Sequence, residues 1–226
     1  VSVKDSLGML ETYAEVDKAL ADLNGNSAAW RLSEDRAFVE GINQTMSQTL
    51  FYGDSSLDPE KFTGLAPRYS SLSAENGMNI IDAGGTGSDN AAIWLVVGGP
   101  NTMHAIYPKG SAAGLQSRDL GEHTLTDAQG GKYQGYRTHY KWDLGFTLRD
   151  WRYAVRIANI DVSDLTKNAA SGADLIDLLT QAVELIPNMG MGRPVFYLPR
   201  KLRSVLRRQI TNKVAASTLT MEDIGG

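Results

Sequence analysis

The chain has no cysteine, so disulfides, thiolate metal sites and cysteine nucleophiles are excluded, and the redox compartment stays open. It also lacks any run of about 18 uncharged apolar residues, and its N-terminus lacks the basic, apolar and small-residue succession of a signal peptide. The reading therefore expects neither membrane insertion nor Sec secretion. Histidine is scarce: His104, His123 and His139 stand far apart, without the short spacings that metal sites use. No metal and no other cofactor is expected. Acidic residues are missing from one stretch, Arg193 to Lys213, which carries Arg193, Arg200, Lys201, Arg203, Arg207, Arg208 and Lys213. That segment is +7 in a chain of net charge −4, leaving −11 for the remainder. Such separation favours association of copies, basic patch against acidic surface, as much as it favours nucleic acid.

What is present fits one generous domain or two small ones. There are 226 residues, 42% of them apolar, enough to bury a substantial core. The chain opens on Val1 and stops at Gly225-Gly226, which reads as a processed or truncated chain.

Along the chain, Leu10, Tyr13, Val16, Leu20 and Leu23 can form a helical stripe closed by Asn24-Gly25-Asn26. Phe38, Ile42, Met46 and Leu50 fall at four-residue steps, predicting one amphipathic helix of about 26 residues, a rod of roughly 39 Å, capped at Asn26 or Ser27 and ended by Gly53. A loop-rich stretch follows. "AIWLVV" and "MHAIY" around Gly98-Gly99-Pro100-Asn101-Thr102 predict a hairpin, and Lys109 to Glu122 a polar loop.

From Tyr136 to Arg149 the alternation is strict, predicting a strand of about 43 Å. Its phase flips at Asp150, which demands a bulge or tight turn before Trp151, Tyr153, Val155 and Ile157 continue on odd positions. Ser171 with Asp174 predicts a capping-box start for a helix stopped by Pro187. "PVFYL" reads as a short buried strand. Pro199 opens a helix with Leu202, Val205, Leu206 and Ile210 inward and Arg200, Arg203 and Arg207 outward.

The chemical motifs are weak. "IIDAGGTGSDN" (80–90) resembles a phosphate-binding glycine loop, but no lysine follows it, the third dinucleotide glycine is replaced by Asn90, and the next residues read as a strand where a helix is needed. Asp82 and Asp89 lack the remaining ligands of a calcium loop. No Gly-x-Ser-x-Gly elbow occurs, and Glu34 with Asp35, or Asp174 with Asp177, read as solvated helix faces. No residue is assigned a catalytic role, and the chain is expected not to be an enzyme. The seven cations from Arg193 to Lys213 are the candidate site, as a subunit interface or an inner-surface basic patch.

The run "LSEDRAFVEGINQTMSQTLFYGDSSLDPEKFTGLAPRYSSLSAENGMNIIDAGGTGSDNAAIWLVV", then "IYPKGSAAGL", then "THYKWDLGFTLRDWRYAVRIANIDVS" closely resembles the major capsid proteins of a group of short-tailed bacteriophages. The resemblance spans nearly the whole chain. It implies the α+β Hong-Kong-97-type capsid fold, with a long spine helix, long peripheral β-strands and a mixed α/β axial domain. On this match residues 1–25 hold the returning strand of an extended loop and its connection to the spine. Residues 26–170 form the peripheral domain with the spine helix at 26–53, and residues 171–226 supply part of the axial domain. The implied function is self-assembly into hexamers and pentamers of an icosahedral head. The head is assembled in the host cytoplasm and encloses double-stranded DNA, contacted non-specifically at the inner surface, and a scaffolding or decoration protein can join it. An encapsulin-like shell of a cellular nanocompartment shares the fold and is the alternative.

Overall fold

A computed structural model describes residues 4–169 and 171–216. Its elements, in chain order, are β1 (Leu7–Asp17), α1 (Lys18–Leu23), α2 (Ala28–Tyr52), α3 (Leu65–Arg68), β2 (Ile80–Asp82), β3 (Asn90–Gly98), β4 (Met103–Ile106), β5 (Gln116–Thr126), β6 (Lys132–Leu148), β7 (Ala154–Asp161), α4 (Leu175–Glu184), β8 (Arg193–Tyr197) and α5 (Arg200–Ala216). The chain divides into two compact units, 1–68 with 105–147, and 69–104 with 148–226. The division into 1–25, 26–170 and 171–226 expected from sequence cuts across both. Of those ranges, residues 1–3, 170 and 217–226 lie outside the described residues.

Unit 1 lays the long helix α2 on a sheet of long antiparallel strands. Ser27 caps α2, its hydroxyl accepting from the Trp30 amide at 3.2 Å, and Gly53 ends it. Its 25 residues make a rod of about 38 Å, as expected. Gly53 is required by close approach: a Cβ there would strike the Phe62 and Thr49 carbonyls, because Gly64 donates its amide to the Gly53 oxygen at 2.8 Å. β6 is central, with β1 antiparallel along one edge from Leu7↔Gly145 to Asp17↔Gly135, and β5 antiparallel along the other. Beneath α2, Ala14, Ile42 and Tyr140 form a small buried cluster, with Leu10, Val39, Leu115 and Trp142 packed on it.

Three expectations change here. The helix predicted from Leu10 to Leu23 is strand β1 as far as Asp17, with only the six residues of α1 helical. The same residues also alternate, Leu10, Thr12, Ala14 and Val16 turning inward, and eleven ladder positions on β6 decide between the two periods. The polar loop predicted at 109–122 gives way to β5 from Gln116, a strand defined by pairing to β6 while most of its side chains face out. Asp35, read as solvated, is buried on the inner face of α2.

Unit 2 packs helices on a sheet ordered β2, β7, β3, β8, with β2 parallel to β7 and the other two pairs antiparallel. The predicted break at Asp150 is a 3-10 turn at Trp151–Tyr153 that buries Tyr153, after which β7 runs with Val155 and Ile157 buried. Between Ala91 and Ile93 the register shifts, and Asn159 sits at φ 55°, a bulge that brings Ile160 onto the same buried side. That side packs Ile93, Leu95, Val97, Val155 and Ile157 against Leu175, Leu178 and Ala182 of α4 and Leu202 of α5. Each such side chain contributes roughly 1.5–3 kcal/mol by leaving water.

The predicted hairpin at 98–102 does not form. β3 already has β7 and β8 on its two edges, and β4 touches it only at Gly98↔Met103, in parallel sense. Thr102, fully buried, donates its hydroxyl to the Val97 carbonyl at 2.6 Å and turns the chain away. α4 is capped by Asp174, not Ser171: the Asp174 carboxylate accepts the Ile176 and Asp177 amides at 3.1 and 3.3 Å. β8 is a strand as predicted but is half-exposed rather than buried.

Candidate functional site

The glycine loop follows β2 and leads into strand β3, so it does not open a helix. Its amides are used locally. Gly84 donates to the Asp82 carboxylate at 2.9 Å and Gly85 to the Asn159 carbonyl at 2.8 Å, and a Cβ on Gly85 or Gly87 would run into Asp161. Gly85 and Gly87 are close-packing residues, and Gly84 serves the turn with φ 77°. No group of three His, Asp or Glu side chains suited to a metal occurs among the described residues.

Two surfaces stand out instead. The first belongs to unit 1. α2 turns Asp35, Ile42, Met46 and Thr49 inward, while Leu32 and Phe38 face outward together with Leu7, Met9 and Tyr13 of β1 and Leu20 and Leu23 of α1. Leu23 is 84% and Leu57 85% exposed. The predicted stripe is thus split: Ile42 and Met46 are core, Phe38 is 40% exposed, and Leu50 lies between. A small cavity of about 130 Å³ opens beside the buried face, lined by Met9, Leu10, Met46 and Phe62.

Polar contacts hold α2 to its sheet. Arg31 donates two bonds to the Asp119 carboxylate of β5 at 2.8 and 2.9 Å and lies 5.0 Å over the Tyr136 ring of β6. The hydrogen bond and charge of Arg31 hold Asp119 below the usual carboxylate range. One turn on, buried Asp35 accepts the Tyr140 hydroxyl at 2.9 Å. Burial, then that carboxylate, push the Tyr140 phenol up to about 12. Sequence reasoning missed this pair; Asp35 stands in phase with Val39, Ile42, Met46 and Thr49, and that phase was its only signal.

The second surface is on unit 2. α5 places Arg200, Lys201, Arg203, Arg207 and Arg208 on exposed positions while Leu202 and Gln209 are buried. Arg193 stands apart on β8. Lys213 turns to α4 and pairs with its cap Asp174 at 2.7 Å, serving the helix start. Of the seven predicted cations, six lie on α5, where Lys213 is paired to the α4 cap, and Arg193 lies on β8.

Large apolar side chains left open on the long elements of unit 1, and a cationic helix in unit 2, describe a chain whose surfaces are its working parts. The comparisons give that class its family. A family model described as major capsid protein GP7 matches residues 1–226. A chain in a near-atomic structure of bacteriophage Epsilon15, from cryo-EM and modelling, is similar at 37% identity and a TM-score of 0.66, covering 99% of this chain and 68% of that one. No curated protein matches. The chain belongs to the major capsid protein GP7 family. It is a bacteriophage major capsid protein of the Hong-Kong-97-type fold, a structural component of the virion that associates with its own copies. The encapsulin-like alternative gains no support from these matches.

Proposed function

We propose that the chain assembles into hexamers and pentamers of an icosahedral shell that encloses double-stranded DNA, and that its own role is architectural, with no catalytic residue. The observation that carries this reading is the family match over the whole chain. The open apolar side chains of unit 1 support it, because faces of this kind become the core of a large, obligate contact, commonly above about 2,000 Å². In this reading unit 1, with α2 and the long strands, is the peripheral domain, and unit 2 supplies the axial domain. Arg193, Arg200, Lys201, Arg203, Arg207 and Arg208 face a neighbouring copy or the enclosed DNA, and an accessory scaffolding or decoration protein would be a further partner. Light scattering and electron microscopy of the purified chain test the reading. Closed particles with five- and six-fold clusters are expected, and a species that stays monomeric under all assembly conditions would overturn it.

A further inference from the structure

We propose that a shallow cleft on unit 2, between α5 and the loop before α4, binds phosphate groups and holds the backbone of enclosed DNA. The inference deepens the reading above and rests on it for the identity of the polymer. Lys167, Arg207, Arg208, Thr211 and Asn212 line the cleft, whose volume is about 400 Å³. Arg207, Arg208, Thr211 and Asn212 lie on adjacent turns of α5, at spacings that bring side chains to one face.

Lys167 comes from the loop, and the loop is anchored. Gln209, 1% exposed, donates its carboxamide to the Thr166 and Ala173 carbonyls at 3.0 and 3.1 Å and accepts the Leu175 amide at 3.0 Å. A buried glutamine thus fixes Thr166, next to Lys167, against the helix that carries the two arginines. None of the three cations forms an ion pair among the described residues, and Asp174, the cap of the adjoining helix α4, is engaged by Lys213.

Three converging positive groups repel one another until an anion is shared among them. Two guanidinium forks and an ammonium present donors that suit phosphate oxygens. The cleft has no aromatic lining on which a base could stack, so it reads backbone and not sequence.

The test uses the purified chain, unassembled and as assembled shells, with a fluorescent DNA duplex titrated between about 50 and 200 mM salt. Inorganic phosphate serves as the second ligand. Lys167→Gln, Arg207→Gln and Arg208→Gln are combined, with Lys18→Gln in unit 1 as control. The triple variant is expected to assemble normally, to lose roughly tenfold or more in duplex affinity, and to show a salt dependence shallower by about 0.9 per cation removed. An unchanged duplex slope in shells that form normally would overturn the proposal. So would loss of inorganic phosphate binding with duplex binding retained, since the cleft would then serve small anions only. Failure to assemble with an unchanged duplex slope in the unassembled chain would make the cleft a contact between copies and overturn it as well. If wild-type chain forms no shells, the capsid reading fails separately, and the duplex measurement on unassembled chain still decides the cleft.

Discussion

The two units differ in how far each satisfies itself. Unit 2 has a sheet with two helices packed on one face, and its buried cluster runs continuously from β3 and β7 into α4 and α5. Unit 1 has the longest helix and the longest strands of the described residues, and its buried apolar residues are spread along them. Ala14, Ile42 and Tyr140 form one cluster, with Met46, Phe62, Leu65, Leu125, Leu144 and Phe146 buried elsewhere in the unit. Leu7, Met9, Tyr13, Leu20, Leu23, Leu32, Phe38, Tyr52 and Leu57 are left exposed there. A long rod with apolar side chains on its outer as well as its inner side offers more area than its own sheet covers. The difference teaches that stability within the chain and association between chains are assigned to different parts of it.

Substitutions can break or sharpen that contrast. The largest effect is expected from Met46→Asp, which puts an unpaired carboxylate at a position 4% exposed beneath α2. A cost on the order of 3–5 kcal/mol is expected, seen as loss of soluble protein and of particles; correctly assembled mutant shells would refute it. Next is Gln209→Ala in unit 2, which leaves the Leu175 amide and two carbonyls without their partner. Thermal unfolding should fall by roughly 2–3 kcal/mol, and an unchanged melting temperature would show that the loop is not anchored there.

A smaller, pH-dependent effect belongs to Tyr140. Its folded phenol is raised above the ordinary tyrosine value, to about 12. The stabilisation is therefore complete below about pH 10 and is lost as pH rises toward 12. Tyr140→Phe should lower stability at neutral pH by about 1 kcal/mol and flatten the alkaline decline between pH 10 and 12; identical alkaline profiles would remove Asp35–Tyr140 from the account. The smallest intramolecular effect is expected from Phe38→Ser on the open face of α2. Unfolding of the unassembled chain should move by no more than about 0.5 kcal/mol, while the concentration needed for assembly rises. A large loss of stability without an assembly defect would erase the distinction between the units.

Legibility in the sequence followed the same division of forces. The span of α2, the long strand β6, the break at Asp150 and the inward face of α5 were readable from local period, although on α2 the buried face follows Asp35, Ile42, Met46 and Thr49 and leaves Phe38 exposed. β1 was not, since its residues satisfy a helical stripe and an alternation at once, and only the ladder with β6 selects one. β5 was hidden because few of its side chains are buried, and the hairpin at Gly98 failed because distant strands had taken both edges of β3. The basic run was visible as composition. That Lys213 belongs to a helix cap depends on its meeting Asp174, and that Lys167 joins Arg207 and Arg208 depends on Gln209 meeting Thr166, contacts distant in sequence that no spacing rule reports.

The absence of cysteine allows a direct measurement of the central claim, that the open apolar side chains of unit 1 are covered by sister copies. Leu23→Cys, Phe38→Cys and Leu57→Cys would each be labelled with a maleimide in the unassembled chain and in assembled shells. Rapid labelling before assembly and strong protection afterwards at Phe38 and at least one of the others is the expected result. Equal labelling of all three in both states would contradict the claim.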